Sequence, residues 1–337
     1  GQWLHFDGNV VAADQRVLAS TETLEILTGL TGVNIAFDLY VAYSTNSGDI
    51  VLNESPFSIQ IDQAYDKILT VGEHGEFKGC SGLQMALSQV QDWSEIRIEQ
   101  GLYQCTGLNL SEAKIFNTGI RISGGWDSLF ATQSNDPSLT KLDGGAQPLI
   151  DIVDEPSCLQ ISGFWDELRC FQVQPESVRI LNLNDNLVEL EMLTFQNAYL
   201  LGDPSPDRLG GAALMGGVRS NKILLNHIHF LNNHGRSGFG GAVDNVFAIA
   251  NSYFSFNSSS FGAGGAVVRT DFISTSQFDN NIGSFWGGAV SDGVLIQDSI
   301  FNANVVDAGS AGGDFGKGGA AANFKAIKNS TFNKNYL

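Results

Sequence analysis

Proline is scarce, at 7 of 337 residues, and charged residues make up only 16% of the chain. With 43% hydrophobic content, that composition belongs to a folded protein and excludes a disordered one. No run of about 20 apolar residues occurs, so no segment crosses a membrane as a helix. Nothing matches GxSxG, a P-loop, a Rossmann glycine fingerprint or HExxH. Basic residues are few. Against 36 Asp and Glu stand 18 Lys and Arg, a net charge of −18, which argues against nucleic-acid phosphates or an anionic membrane as partners. The four cysteines form no CxxC and lack the tight spacing and nearby histidines that zinc requires. The chain opens without Met or a signal-like segment, and reads as a mature or trimmed form.

What is present is glycine, at 39 residues, and with so little proline this suggests tight bends within a hydrogen-bonded β architecture. Cys80, Cys105, Cys158 and Cys170 read as two disulfides. Of the possible connectivities, Cys80–Cys105 and Cys158–Cys170 are favoured because each closes a short loop. Disulfides place the chain in an oxidising, extracytoplasmic setting. Acidity is uneven. From Ser205 onward there are 8 Asp, no Glu and 9 Lys or Arg, leaving 28 acids and 9 bases in residues 1–204. Two regions with different surfaces follow.

A repeat dominates the second region. Gly-Gly-Ala begins at Gly210, Gly240, Gly264, Gly287 and Gly318. Phe230, Phe254, Phe278, Phe301 and Phe332 are each followed three residues later by Asn233, Asn257, Asn281, Asn304 and Asn335. The step from first glycine to Phe is the same in the last four repeats and longer in the first, Gly210 to Phe230, which carries an insertion. The core period is roughly 23 or 24 residues, in the range of stacked-repeat architectures. Five residues before each Phe is an aliphatic side chain: Leu225, Ile249, Ile273, Ile296 or Ile327. Ser252, Ser276, Ser299 and Ser330 sit two before it and share its strand face, because side chains alternate. Ala213, Val243, Val267, Val290 and Ala321 form a third inward column, and the paired glycines, such as Gly240 and Gly241, are expected to make the corners. Three short strands per repeat describe one rung of a right-handed parallel β-helix, all-β, in which stacked rungs bury what one rung cannot. An α-solenoid is excluded by the density of Gly, Asn, Ser and β-branched residues.

Upstream, Leu83, Ala86, Leu87 and Val90 recur at helical spacing, predicting a cap helix over about 82–91. "SEIRIEQGLYQC", "GIRISGGWDSLF", "SLTKLDGG", "SCLQISGF" and "VELEMLTFQN" read as irregular early rungs, with Phe195 in the Phe column. "LGDPSPDRLGG" is a turn-rich insertion. Residues 1–66 differ: Ile35, Phe37, Leu39 and Val41 alternate as a half-buried antiparallel strand that "GDIVLN" would pair with, the mark of a small β-sandwich-like domain ahead of the β-helix of 67–337.

The alternation of "GGAV" with "FxxN" resembles the repeats of polymorphic outer-membrane proteins and related bacterial surface β-helix proteins, and "CSGLQMALSQVQDWSEIRIEQGLYQC" is similar to the capping start of pectate-lyase-like β-helices. The resemblance covers roughly Leu69 to Leu337. It implies display on a bacterial surface, adhesion or assembly into filaments, with further copies of the chain, another surface protein or glycans as partners. It implies no activity, because the fold hosts lyases, hydrolases, epimerases and adhesins alike. The chain ends at "FNKNYL" inside a rung, so the expectation is that the protein continues or that something covers this end.

Catalytic signals are weak. A hydrolase needs two or three carboxylates on one outward face, and the outward column of the regular repeats (His229, Tyr253, Gln277, Ile300, Thr331) holds none, so no catalytic residue is assigned. His227 and His229, at i and i+2 on one strand face about 6–7 Å apart, together with His234, are metal candidates set against an exposed pair on a solvated sheet. Asp143, Asp203 and Asp207 are candidates for a Ca²⁺ loop, set against ordinary turn acids bonded to backbone amides. Trp126 is read as a sugar-stacking ring or a hydrophobic plug near the cap. Phe239, Phe261, Phe285 and Trp286 each precede a Gly-Gly pair, as an outer aromatic stripe or as core. The expected function is a rigid surface or filament protein presenting loops, with a carbohydrate-binding or polysaccharide-degrading β-helix as the alternative.

Overall fold

A computed structural model describes four strands within the first 64 residues and then residues 65–337, except 111–118, 147, 150, 153, 167–168, 173–174, 176, 178, 185, 202–210, 218–222, 236–239, 261 and 308–317. The chain divides into two compact units, Gly1–Asp66 and Lys67–Leu337. In the first, Ile35–Leu39 pairs antiparallel with Phe57–Ile61, and Ala42–Ser44 with Ile50–Leu52.

The second unit is a right-handed parallel β-helix. One inward column runs Leu69, Ile96, Ile122, Leu190, Leu225, Ile249, Ile273, Ile296 and Ile327, each residue in register with the next. A second runs Tyr103, Leu142, Phe195, Phe230, Phe254, Phe278, Phe301 and Phe332. Its phenyl rings stack nearly parallel with centroids 4.7–5.2 Å apart. That spacing is close to the distance between neighbouring strands, so the backbone ladder imposes face-to-face stacking on identical side chains. The third column runs Leu108, Leu181, Leu214, Val243, Val267, Val290 and Ala321.

Two details differ from the repeat read in sequence. In the first repeat the ladder uses Leu214 rather than Ala213, so Gly211 takes the place of Gly240 and the insertion is one residue shorter. The paired glycines also make few of the corners. Gly287 and Gly318 take a positive φ, but Gly240, Gly241, Gly264, Gly265 and Gly288 do not. The turning residues are non-glycine side chains in the left-handed region: Asn251, Thr275, Asp298 and Asn329 before each Phe strand, and Phe256, Asn280, Ala303 and Lys334 after it. Glycine is required instead for close approach. A Cβ on Gly241 would lie 2.0 Å from the carbonyl oxygen of Gly265, and one on Gly265 would lie 2.1 Å from that of Gly288.

Polar ladders fill the inner corners. Asn233, Asn257, Asn281 and Asn304 each pass a side-chain N–H to the Oδ1 of the next asparagine, ending at Asn335, at 2.9–3.0 Å. Ser276 and Ser299 accept from the backbone N–H one rung below and donate to a carbonyl two residues earlier. These bonds satisfy buried backbone groups that the turns would otherwise strand.

A helix at Gly79–Gln89 buries Leu83, Ala86 and Leu87, with Val90 following, against Leu69, Val71 and Phe77. It starts and ends earlier than the apolar spacing suggests, because Val90 is already extended. Cys80–Cys105 ties its first turn to the next rung, and Cys158–Cys170 closes a loop further on. Replacing both Cys158 and Cys170 by Ser is expected to cost about 2 kcal/mol, since the closed loop is short. Urea titration of the full chain checks this, and an unchanged midpoint would remove the disulfide from the stability account.

Candidate functional site

Beyond the columns the repeat requires, one sheet carries an outward face that changes character along the solenoid. Side chains alternate across each strand. While Ile96, Ile122 and Leu190 point in, Glu95 and Arg97, Arg121 and Ser123, and Glu189 and Glu191 point out. Register aligns Glu95, Arg121 and Glu189 in one row, and Arg97, Ser123 and Glu191 in the row beside it. In later rungs the first row becomes apolar: Leu224, Ala248, Phe272 and Leu295. Phe247 meets Phe272 edge to face at 5.3 Å, both rings half-buried.

Arg121 is the hub of the charged part. Its Nη1 donates to Glu95 Oε1 at 3.1 Å and its Nη2 bonds Glu191 Oε1. Glu95 accepts in addition from Arg97 Nε at 2.7 Å and Ser123 Oγ at 2.9 Å. Gln133, from the connection after Trp126, donates to Glu191 Oε1 at 2.9 Å. The third carboxyl, Glu189, is 7% exposed, and its Oε2 has no hydrogen-bond partner, nor does Arg121 Nε. Burial pushes the Glu189 carboxyl up to about 7; the Arg121 charge pulls it down and the Glu95 charge adds to the rise. One buried carboxyl is thus poised near neutrality beside two that are held in ion pairs, an arrangement suited to carrying a proton.

Trp126 lies in this cluster. It is 7% exposed, donates from Nε1 to Ser123 Oγ at 2.9 Å, and carries the Arg97 guanidinium 4.0 Å above its ring. Its face is therefore occupied from within the protein.

The histidines do not converge. His227 occupies a left-handed corner at φ 51°, which breaks the strand alternation that would have put it beside His229. His229 packs edge to face on Tyr253. Burial lowers the pKa of both, opposed at His229 by the charge of Asp136. His234 lies on a different sheet, fully covered, with Nδ1 2.7 Å from Ser258 Oγ, Nε2 3.3 Å from Asp166 Oδ2 and its ring stacked on Tyr199. Among the described residues no three His, Cys, Asp or Glu side chains are grouped to hold a metal ion. Asp143 is spent on the Gly145 amide and the side chains of Gln196 and Asn197. Asp203, Asp207, Phe239 and Phe261 lie outside the described residues. Phe285 and Trp286 are half-buried.

Sequence reasoning searched the regular repeats for carboxylates and so passed over this cluster. The available signal was alternation of charged and apolar residues in the early strands, Glu95-Ile96-Arg97, Arg121-Ile122-Ser123 and Glu189-Leu190-Glu191.

No protein-family profile matches the chain, and no curated protein sequence matches it. Solved structures similar to it include the pectin methylesterase from Aspergillus niger in deglycosylated form, at 10% identity and a TM-score of 0.37, with 80% of this chain and 86% of that one covered. The same enzyme with an N-acetylglucosamine stub at one asparagine gives a TM-score of 0.38 at the same identity and coverage.

Proposed function

We propose that this chain is an extracellular bacterial β-helix with an adhesive, scaffold-like role, and that it binds an extended glycan along the outward sheet face. One observation carries the reading. The repeated side chains are consumed by the fold, as stacks and ladders facing inward, whereas the outward rows from Glu95 to Leu295 are not repeated and pair a charged cluster with an aromatic platform. The two disulfides support an oxidising compartment. Rungs are about 4.8 Å apart, a spacing near that of successive sugar units in an extended chain.

Glu189 favours a second reading, cleavage of the bound polysaccharide, because a carboxyl held near neutrality beside further carboxylates is the equipment of glycoside hydrolysis. A polysaccharide panel assayed for both binding and product release separates the two. The adhesive reading expects binding without products, and Phe272→Ala to weaken binding about tenfold through lost aromatic contact. Release of products that Glu189→Gln abolishes, with binding retained, would replace it by the second reading. Binding to no member of the panel would sink both.

A further inference from the structure

The connection between Trp126 and Thr140 is tied to the sheet partly through the charged cluster and partly through backbone, with the Ser134 N–H donating to the Gly125 carbonyl at 2.8 Å. Arg97 Nη1 donates to the Phe130 carbonyl at 3.1 Å. Gln133 is held by Glu191 Oε1 at 2.9 Å, by the Gly124 carbonyl at 3.0 Å and by Arg121 Nη2 at 3.4 Å. Thr194 Oγ1 donates to the Pro137 carbonyl at 2.9 Å. Within itself the loop is closed by Asp127, whose Oδ1 accepts from the Leu129 and Ala131 amides.

We propose that Glu189 is the proton-binding residue of a switch that holds the 127–134 loop closed when protonated and loosens it when ionised. Arg121 is shared. Its two terminal nitrogens are committed to Glu95 and Glu191, and it stands directly opposite Glu189 in the ladder. With Glu189 neutral, two carboxylates face two guanidiniums and charge balances. An ionised Glu189 adds a third carboxylate in a buried place where its Oε2 has no donor. Among the described residues the cation that acts on it is Arg121, and turning that guanidinium toward Glu189 removes its bond to Gln133 and leaves Glu191, the acceptor of the Gln133 side chain, without its cation. Water entering the cluster would have the same effect, since it needs the loop to lift.

The other groups around Glu189 do not supply this response. From the following rung, Leu224 and Asn226 lie opposite Glu189 and Glu191. The titratable groups of that strand are His227 and His229, both held neutral further into acid by burial. Asp127 and Asp136 of the loop are held ionised into acid by hydrogen bonds from Ala131 and Ser138. The switch concerns the loop itself and stands whichever ligand the face binds.

Hydrogen exchange of the full chain tests it at the Asp127, Phe130, Ala131 and Ser134 amides, all hydrogen-bonded in the closed loop. After correction for intrinsic base catalysis, protection in the wild type is expected to fall about tenfold or more between pH 6 and pH 9, at most tenfold per unit for one proton. Glu189→Gln should hold protection constant, and His229→Gln should leave the wild-type fall unchanged. Equal pH dependence in Glu189→Gln and wild type, or constant protection in the wild type, overturns the proposal. If the Gln variant does not fold, ¹³C NMR titration of wild-type glutamate carboxyls decides instead. A carboxyl titrating together with the loop amides supports the switch, and no carboxyl titrating with them refutes it.

Discussion

Replacing Asn257 by Ala should destabilise the β-helix by about 4 kcal/mol, through buried polar groups left unpaired. The side chain donates to the Phe230 carbonyl at 2.9 Å and to Asn281 Oδ1 at 3.0 Å, and accepts from the backbone and side-chain nitrogens of Asn233 at 3.1 and 2.9 Å. All of these groups are buried. Truncation takes this partner from a backbone carbonyl and a backbone N–H where water does not reach, at roughly 1–3 kcal/mol each before relaxation, and strips one bond each from the Asn233 and Asn281 amides, which keep the Phe195 carbonyl and the Asn257 backbone N–H. Asn335 is the internal control. It occupies the same column in the last rung but is partly exposed, so water replaces its lost bonds and Asn335→Ala should cost about 1 kcal/mol or less. Urea unfolding of the two variants checks the pair. Equal effects would mean that the ladder is decoration rather than support.

The second large effect depends on pH. Glu189 rises from its ordinary 4.5 to about 7 in the folded chain, mainly through burial. The folded state therefore binds more protons than the unfolded one between these values, and stability falls as pH rises through the window. About 2.5 units at roughly 1.36 kcal/mol each amount to about 3 kcal/mol lost by pH 8 relative to pH 4.5. Glu189→Gln removes the ionisation, keeps the size and adds a donor able to reach a neighbouring carboxylate. The variant should match the wild type near pH 4.5 and exceed it by about 3 kcal/mol at pH 8. Thermal melts across that range provide the measurement. A constant difference between the two proteins would show that Glu189 does not titrate in this window.

Both effects arise from one arrangement. Inward positions are occupied by matched side chains, and the asparagine ladder among them bonds its polar groups rung to rung, so a change there costs stability. Outward positions in the early rungs hold charge in excess of what pairing absorbs, so a change there alters response to pH. The left-handed corners at His227, Asn251, Thr275, Asp298 and Asn329 show how a rung turns without glycine. Asparagine and aspartate tolerate that conformation comparatively well, and the remaining cases are held by the ladders on either side.

The sequence by itself determined the solenoid. Phe195 and the five repeated phenylalanines, the aliphatic residues five positions earlier and the Asn after each Phe name the inward columns directly, because a parallel ladder stacks like on like and the period can be counted along the chain. The cap helix was legible for a similar reason, as a local helical pattern. The tertiary structure alone decided the rest. Glu95, Arg121 and Glu189 come from three strands separated by unequal lengths of chain, and only the register across irregular insertions sets them in one row. His227 and His229, close neighbours in sequence, are separated in role by a corner whose conformation no periodicity announces. His234 is buried by Asp166 and Phe171 from a segment far upstream. Regular spacing transmits the fold along the chain, whereas an insertion of arbitrary length erases that count, and the charged face was built where the insertions are.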